Sequence, residues 1–324
     1  MTMMDLRSRF KLFLKGMSMG AADVVPGVSG GTIAFISGIY EELLSSIKSL
    51  GPDTLVVLRK QGVAAAWRQV NGDFLATLLA GIITSVLLLV RPITWALQHQ
   101  PVLIWSFFFG LIAASVWLCG RLVKHWSFPA MFGLLVGTAA AVVIGLLEPA
   151  NGSSGLFFYF IAGAIAICAM ILPGISGSFI LLLMGAYLPV MTALKTFDLP
   201  LIVVFSAGCL FGLMAFSRLL NWMFAHYHDL TVSTLTGFLL GSLTIIWPWK
   251  KVVSVRTVHE GKPDEHLEAF IQHNIWPSDY ATVTDMDRLL GITEKAPMLG
   301  WAVVLAILGT ALLLFLERLA PDRK

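Results

Sequence analysis

Long uncharged stretches separated by short polar ones dominate the chain. At a helical rise of about 1.5 Å per residue, six of them can cross a hydrocarbon core of about 30 Å. These stretches cover residues 74–90, 101–120, 127–147, 199–217, 231–249 and 296–316. Two further apolar stretches, 24–40 and 155–194, are interrupted by turn-forming residues. The pattern predicts an all-α integral membrane protein with six transmembrane helices and two broken helices.

The two interruptions are copies of one motif. PGVSGG occupies residues 26–31, and PGISGS follows 147 positions later at 173–178. Seven of the fifteen positions from 26 to 40 are identical at this offset, including the pairs Gly38/Gly185 and Tyr40/Tyr187. Pro and Gly clusters break helices. Each copy is therefore predicted to be a re-entrant hairpin whose tip lies within the membrane.

The repetition continues beyond the motifs at a second offset of 127. A glycine, an arginine and a tryptophan recur with the same spacing, as Gly81/Gly208, Arg91/Arg218 and Trp95/Trp222. We therefore divide the chain into two repeats, residues 1–150 and 151–324. The first has an amphipathic interfacial helix near residues 1–22, a hairpin at 16–47 and three transmembrane helices. The second has a hairpin at 155–195, three transmembrane helices and a polar insert at 250–295.

Each repeat crosses the membrane an odd number of times, because its hairpin returns to its own side and its three helices do not. The second repeat is then inverted relative to the first. Lys and Arg concentrate at the chain ends and at residues 48–72, which predicts that both termini and 48–72 are cytoplasmic. The turn at 151–155 and the insert are then extracytoplasmic.

Composition narrows the class of protein. The chain is 57% hydrophobic and 13% charged, with a mean hydropathy of +0.82, which excludes an ordinary soluble domain. A net charge of +3 gives no reason to expect nucleic acid as a partner. The three cysteines lie far apart in apolar stretches, so no metal site and no cofactor is expected. A homodimer is compatible with the sequence but no residue pattern predicts it.

The motifs have the chemistry of an anion site. Glycine and serine allow a tight turn, and Thr32 or Ser178 opens the following helix. The first amides of a helix lack partners within it and face the positive end of its dipole, so they suit a phosphate. Close packing of small residues is the alternative reading, although it does not explain the fixed Pro and Ser.

Four charged residues are further candidates. Arg91 and Arg218 would add a formal positive charge near the tips, one toward each membrane face, or would instead extend to lipid headgroups. Asp23 stands alone among apolar residues as a candidate coupling group or a backbone cap. Glu41 is a second coupling candidate, or it marks the return of the chain to water.

The segments GAADVVPGVSGGTIAFISGIY and ILPGISGSFILLLMGAY resemble those of the polyprenyl-phosphate transporter family. The resemblance covers nearly the whole chain. It implies a flippase in the bacterial cytoplasmic (inner) membrane that returns undecaprenyl phosphate to the inner leaflet for reuse in cell-envelope synthesis. It places the following residues at the phosphate site: Asp23, Pro26, Gly27, Ser29, Gly30, Gly31, Thr32, Pro173, Gly174, Ser176, Gly177 and Ser178. The second copy departs from the first, with Met170 at the position of Asp23 and Ser178 at that of Gly31.

Two other classes of function remain open. A transporter or channel for a small soluble anion could use the same helix ends. An enzyme acting on a lipid phosphate is less well supported, because the sequence has no carboxylate cluster for Mg²⁺ and no paired nucleophile and base. We therefore expect a transporter and not an enzyme, with a polyprenyl phosphate and the bilayer as its partners.

Overall fold

The computed structural model describes residues 6–25, 28–150, 152–153, 155–258 and 266–319, and these are mostly helical. The helices of the first half are α1 (Leu6–Asp23), α2 (Gly30–Ile36), α3 (Tyr40–Ser49), α4 (Pro52–Gln61), α5 (Val63–Gln69), α6 (Gly72–His99), α7 (Pro101–Gly120) and α8 (Phe128–Leu146). The second half contains α9 (Leu156–Ile171), α10 (Gly177–Leu183), α11 (Tyr187–Thr196), α12 (Leu199–His226), α13 (His228–Ser242), β1 (Lys250–Val258), β2 (His266–Asn274), α14 (Asp285–Leu289) and α15 (Leu299–Leu319).

Four helices of the described residues are long and apolar enough to cross a membrane: α6, α7, α8 and α12. They contain or match four of the six predicted transmembrane helices, which confirms the membrane class. Helices α10 and α11 pass the same test together, but they meet at a bend of 107°. Helix α9 and residues Leu299–Phe315 of α15 form shorter apolar helices.

The prediction for residues 231–249 was wrong at its end. Helix α13 stops at Ser242, and the chain then turns toward the insert. After the helix ends, a backbone carbonyl accepts its hydrogen bond from a side chain of the insert: the Asn274 side-chain amide donates to the Thr244 carbonyl at 2.6 Å. Pro248 also could not have continued the hydrogen-bonding of a helix. Hydropathy alone did not reveal this change of direction.

The first helix also differs from the prediction. The sequence predicts an interfacial helix and, from residue 16, a distinct hairpin. In the structure, α1 instead runs unbroken from Leu6 to Asp23. It packs along α6. Glycines permit this close approach: a Cβ added to Gly20 would lie 2.5 Å from the carbonyl oxygen of Ile82. The segment is thus part of the helical core of the first half.

The helices of the two halves have corresponding packing partners, and some of them also match in length. Helices α6 and α12 each have 28 residues, and the residues that precede α7 and α13, Gln100 and Tyr227, have the same backbone angles, φ −136° and ψ 51°. Helix α9 packs along α12 as α1 packs along α6. Helix α7 packs along α15, and α13 packs along α8. The last two pairs join the halves of the chain.

The polar insert contains a β-hairpin that the all-α prediction did not include. Strands β1 and β2 are antiparallel, with Lys250 opposite Asn274 and a register irregularity between Val252 and Val255. The Lys250 ammonium donates to the Ile245 carbonyl at 2.6 Å and lies 4.4 Å from the centre of the Trp105 ring. Burial lowers the pKa of Lys250 to about 8. The β-hairpin is thereby attached to α7 and to the end of α13.

A buried ion pair stabilises the rest of the insert. The Lys295 ammonium lies 2.6 Å from the Asp287 carboxylate, and their side chains are 6% and 0% exposed. Thr284 and Asp287 form a capping box at the start of α14. Burial acts to raise the pKa of Asp287, but the hydrogen bonds from Lys295 and Thr284 outweigh it and lower that pKa.

Candidate functional site

The first motif begins a short helix that is fully buried. All seven residues of α2 are buried, and Ser29 precedes it with an extended backbone. The Asp23 carboxylate accepts a hydrogen bond from the Gly30 amide at 2.7 Å. The Ser29 hydroxyl accepts one from the Gly31 amide at 3.1 Å, and the Thr32 amide donates to the Ser29 carbonyl. Pro26 and Gly27 lie outside the described residues.

The amides that begin α2 are therefore already paired within the protein. A carboxylate of the chain itself lies where the sequence predicts a bound phosphate. This arrangement corresponds to the backbone-cap alternative for Asp23, and it also stabilises the positive end of the α2 dipole. A phosphate could approach Gly30 only if the Asp23 side chain moved away.

The second motif is more open. Pro173, Gly174 and Ser176 are buried, and Gly174 has a φ of +85°, which favours glycine. The Ser176 and Ser178 hydroxyls lie 2.9 Å apart, and Ser178 is exposed. No side chain caps α10. Among the described residues, the first three amides of α10 have no hydrogen-bond partner.

The two motifs meet in the interior, although 147 residues separate them. The Ser29 hydroxyl donates to the Met170 carbonyl at 2.9 Å. The Tyr40 hydroxyl donates to the Ile171 carbonyl at 3.2 Å, and the Gly174 amide donates to the Thr32 hydroxyl at 3.0 Å. The C-terminal end of α9 is thus bound to the first motif. Of the predicted site residues, the structure brings together Ser29, Gly31, Thr32 and Gly174.

Both motifs also have tightly packed glycines. A Cβ at Gly31 would lie 2.5 Å from the Ile171 carbonyl oxygen, and one at Gly177 would lie 2.6 Å from that of Ala166. Such distances leave no room for a larger side chain. The packing alternative therefore accounts for these two glycines, and it does not account for the exposed Ser178.

The two predicted arginines are exposed, and each lies eight residues before the end of its helix, Arg91 in α6 and Arg218 in α12. The Arg218 guanidinium donates to the Met214 carbonyl at 3.2 Å within α12, and a Cβ at Gly51 would lie 3.0 Å from Arg218 Nη2. Within the described residues, neither Arg91 nor Arg218 forms a hydrogen bond to a motif residue. The structure thus does not bring them into contact with the motifs.

The repeat around these arginines is longer than the sequence reading found. His99 and His226 lie four residues after Trp95 and Trp222, and each imidazole stacks on that indole. Their Nδ1 atoms lie 3.0 and 2.9 Å from the carbonyls of the same tryptophans. The offset of 127 would have revealed this fourth repeated residue.

The acidic candidates have different surroundings. Asp23 contacts the first motif as described above, while Glu41 is exposed at the start of α3. Its neighbour Glu42 accepts a hydrogen bond from the Asn71 side chain at 2.9 Å. The described residues contain no group of three or more His, Cys, Asp or Glu side chains that could hold a metal ion.

Sequence reasoning missed the carbonyls of Met170 and Ile171 as partners of the first motif. Backbone carbonyls have no residue signature, so only the fold could reveal them. The repeated Tyr40 was visible as an identity, but nothing in the sequence indicated that its hydroxyl would bind the opposite half.

These features define a class: a multipass helical membrane protein in which two Pro-Gly-x-Ser-Gly segments from separate halves of the chain meet. The chain belongs to the undecaprenyl phosphate translocase-like family, whose model matches residues 19–263. A relative from Vibrio cholerae, named a polyprenyl-phosphate transporter, is 46% identical over 95% of this chain and 96% of its own length. A relative of the same name from Staphylococcus aureus is 31% identical over 72% of this chain and 85% of its own length. No solved structure matches the chain significantly.

Proposed function

We propose that this protein is a flippase that moves undecaprenyl phosphate or a related polyprenyl phosphate across the bacterial cytoplasmic membrane for reuse of the lipid carrier. The names of both relatives support this substrate, and the larger identity extends over almost the whole chain. The observation that carries the site is the meeting of the two motifs, through Ser29, Thr32 and Gly174.

The proposed topology is a pair of inverted repeats, each with a re-entrant hairpin and three transmembrane helices. Its support is the duplicated series of helices, with α1–α3 and α6–α8 corresponding to α9–α13 and α15. Inversion would bring the two tips to the midplane from opposite faces, as in transporters built from inverted repeats. Both termini would be cytoplasmic, as the distribution of Lys and Arg predicts.

The phosphate binds where the motifs meet, chiefly at the second one. There the Ser176 and Ser178 hydroxyls and the unpaired amides of α10 offer several donors, and Ser178 is exposed. A helix end contributes only about 0.3–2 kcal/mol to an anion, whereas removing a charged group from water costs several kcal/mol. Arg91 and Arg218 supply the remaining attraction as the phosphate approaches from each face.

The isoprenoid tail stays in the lipid throughout this cycle. The membrane-facing helices expose large apolar side chains, including Leu87 on α6 and Val203 on α12. Moving the tail from lipid onto the protein would give no gain in hydrophobic free energy, because lipid is as apolar as these side chains. Asp23 and Glu41 are the candidates for coupling transport to an ion.

Binding of polyprenyl phosphate to the purified protein tests the site. Ser178→Asp would place a negative charge beside the phosphate, so we expect the dissociation constant to rise about tenfold or more. Thr196→Asp, at the exposed end of α11, adds the same charge away from the motif and serves as the matched control. Inorganic phosphate should compete poorly. Unchanged binding by Ser178→Asp would rule out the site, and strong competition by inorganic phosphate would favour the small-anion alternative.

A further inference from the structure

Two side chains of α1 hold α2 at both of its ends. At the N-terminal end, the Asp23 carboxylate accepts from the Gly30 amide at 2.7 Å. At the C-terminal end, the Lys15 ammonium donates to the Ser37 carbonyl at 2.8 Å. The start of a helix carries a partial positive charge and its end a partial negative charge. A carboxylate at the start and an ammonium at the end are therefore both attracted to the helix, and both contacts are stabilising. We call this pair of contacts the α1 clamp.

Among the described residues of the second half, no such clamp holds α10. The offset of 147 places Ala162 and Met170 at the positions of Lys15 and Asp23. Neither side chain can accept or donate a strong hydrogen bond, and Met170 is 45% exposed. Helix α10 is held at its far end instead, where the Ala150 amide donates to the Leu183 carbonyl at 2.8 Å. At its motif end, no side chain of α9 among the described residues binds an amide of α10, and the nearest attachment is the hydrogen bond from the Gly174 amide to the Thr32 hydroxyl.

The contacts between the halves show the same asymmetry. Thr32 accepts a hydrogen bond from Gly174, but its counterpart is Phe179, which has no hydroxyl. Tyr40 is 2% exposed and bound to α9, whereas its counterpart Tyr187 is only partly buried. All of α2 is buried, while only Gly177, Ile180 and Leu183 of α10 are.

We propose that Lys15 and Asp23 are positioning residues that keep α2 stationary, and that α10 is the moving element of the transport cycle. Helix α10 swings at its motif end and pivots near Gly185, whose φ of +69° and close contact with Ala150 mark the far end. The two halves are then similar in fold but unequal in motion. This inference rests on the proposed function, because it assigns the movement at that same site.

Reciprocal substitutions at the matched positions test the clamp. Asp23→Met gives α2 the second half's residue, and Met170→Asp gives α10 the carboxylate of the first. A carboxylate at position 170 would lie close to the start of α10, because the Met170 Cβ is 3.3 Å from a Cβ added to Gly177. In the first half, the Asp23 Cγ is 2.9 Å from a Cβ added to Gly30, so the two positions have similar geometry. Lys15→Ala removes only the second contact of the clamp, and Met170→Asn is the uncharged control.

Backbone hydrogen exchange in lipid nanodiscs without substrate is the measurement. In the unaltered protein we expect α10 to exchange faster than α2. Asp23→Met and Lys15→Ala should accelerate exchange in α2, and Met170→Asp should slow exchange in α10, each by about tenfold, as expected for one charge-assisted hydrogen bond. Met170→Asn should have a smaller effect. Equal exchange of α2 and α10 in the unaltered protein would overturn the proposal.

Transport by the same proteins gives the second readout. Met170→Asp should lower the turnover of polyprenyl phosphate in liposomes if α10 must move. Slowed exchange in α10 with unchanged turnover would show that α10 is not the moving element. Absence of transport in the unaltered protein would contradict the proposed function instead, and the exchange data would still decide whether the clamp exists. Should Asp23→Met not fold, Lys15→Ala decides the same question.

Discussion

In the proposed site, single side chains decide which helix start a phosphate could reach. Asp23 occupies the helix start in the first half, and Met170 leaves the corresponding place free in the second. Sequence comparison of the two motifs revealed this substitution and its one-sidedness. It could not predict that Asp23 binds Gly30, because that contact depends on how α2 is placed relative to the end of α1.

The exposed arginines provide a prediction at this scale. Arg91→Gln and Arg218→Gln should each impair transport without affecting folding, because neither side chain is buried. In the proposed topology, Arg91 lies toward the outer face and Arg218 toward the inner face. Arg91→Gln should therefore raise the half-saturating concentration for substrate in the outer leaflet, and Arg218→Gln should raise the half-saturating concentration for substrate in the inner leaflet. Loss of one charged contact predicts about a threefold to tenfold effect. Liposomes loaded on one side measure this.

Arg68→Gln is the matched control, since Arg68 is an exposed arginine on α5. It should transport as the unaltered protein does. The contrary result is that both Arg91→Gln and Arg218→Gln transport substrate from either leaflet at the rate of the unaltered protein. That result would show that these arginines contact lipid headgroups and not the substrate.

Helices and strands were predictable to different degrees. The continuous apolar stretch at 101–120 corresponds to α7 residue for residue, because such a stretch has no other way to pair its backbone in lipid. The strands of the insert were missed, although residues 252–258 are rich in β-branched side chains and alternate between apolar and polar from Val253 to Arg256, as is typical of a half-exposed strand. Its reading as a polar insert relied on average polarity, which conceals alternation.

The ion pair in the insert predicts a response to acid. Hydrogen bonds hold the Asp287 pKa below its ordinary value in the folded state, so the unfolded state binds more protons. The stabilisation is therefore complete above about pH 5 and is lost as the pH falls through the folded pKa. Susceptibility of the insert to brief proteolysis should rise in the same pH range.

Asp287→Asn should make the insert sensitive at neutral pH, because an unpaired buried charge costs about 3–5 kcal/mol. Asp285→Asn is the control, since the Asp285 side chain is 92% exposed. Equal resistance of both variants at neutral pH would show that the Asp287 and Lys295 pair does not stabilise the insert.

At the scale of the whole molecule, the packing of α7 on α15 and of α8 on α13 joins the two halves. The sequence revealed the duplication through its two offsets, 147 and 127. It could not reveal these pairings, because lipid-exposed and helix-facing residues of such helices are equally apolar. The contact between the motifs was likewise not readable, since it uses the carbonyls of Met170 and Ile171.

The proposed inverted topology makes a prediction at the same scale. In a cysteine-free background, Ser278→Cys in the insert should react with an impermeant thiol reagent added to intact cells. Lys60→Cys at the end of α4 should react only after the membrane is opened. Both side chains are exposed, so burial would not prevent labelling. The reverse pattern, or labelling of both sites from outside, would contradict the inverted arrangement.

Exchange of polyprenyl phosphate between leaflets tests the central proposal most directly. Liposomes containing the purified protein and labelled undecaprenyl phosphate should transfer label between leaflets faster than protein-free liposomes do. Polyprenol without phosphate should not be transferred, because the proposed site recognises the phosphate. An exchange rate equal to that of protein-free liposomes, from a folded protein in the membrane, would contradict the account.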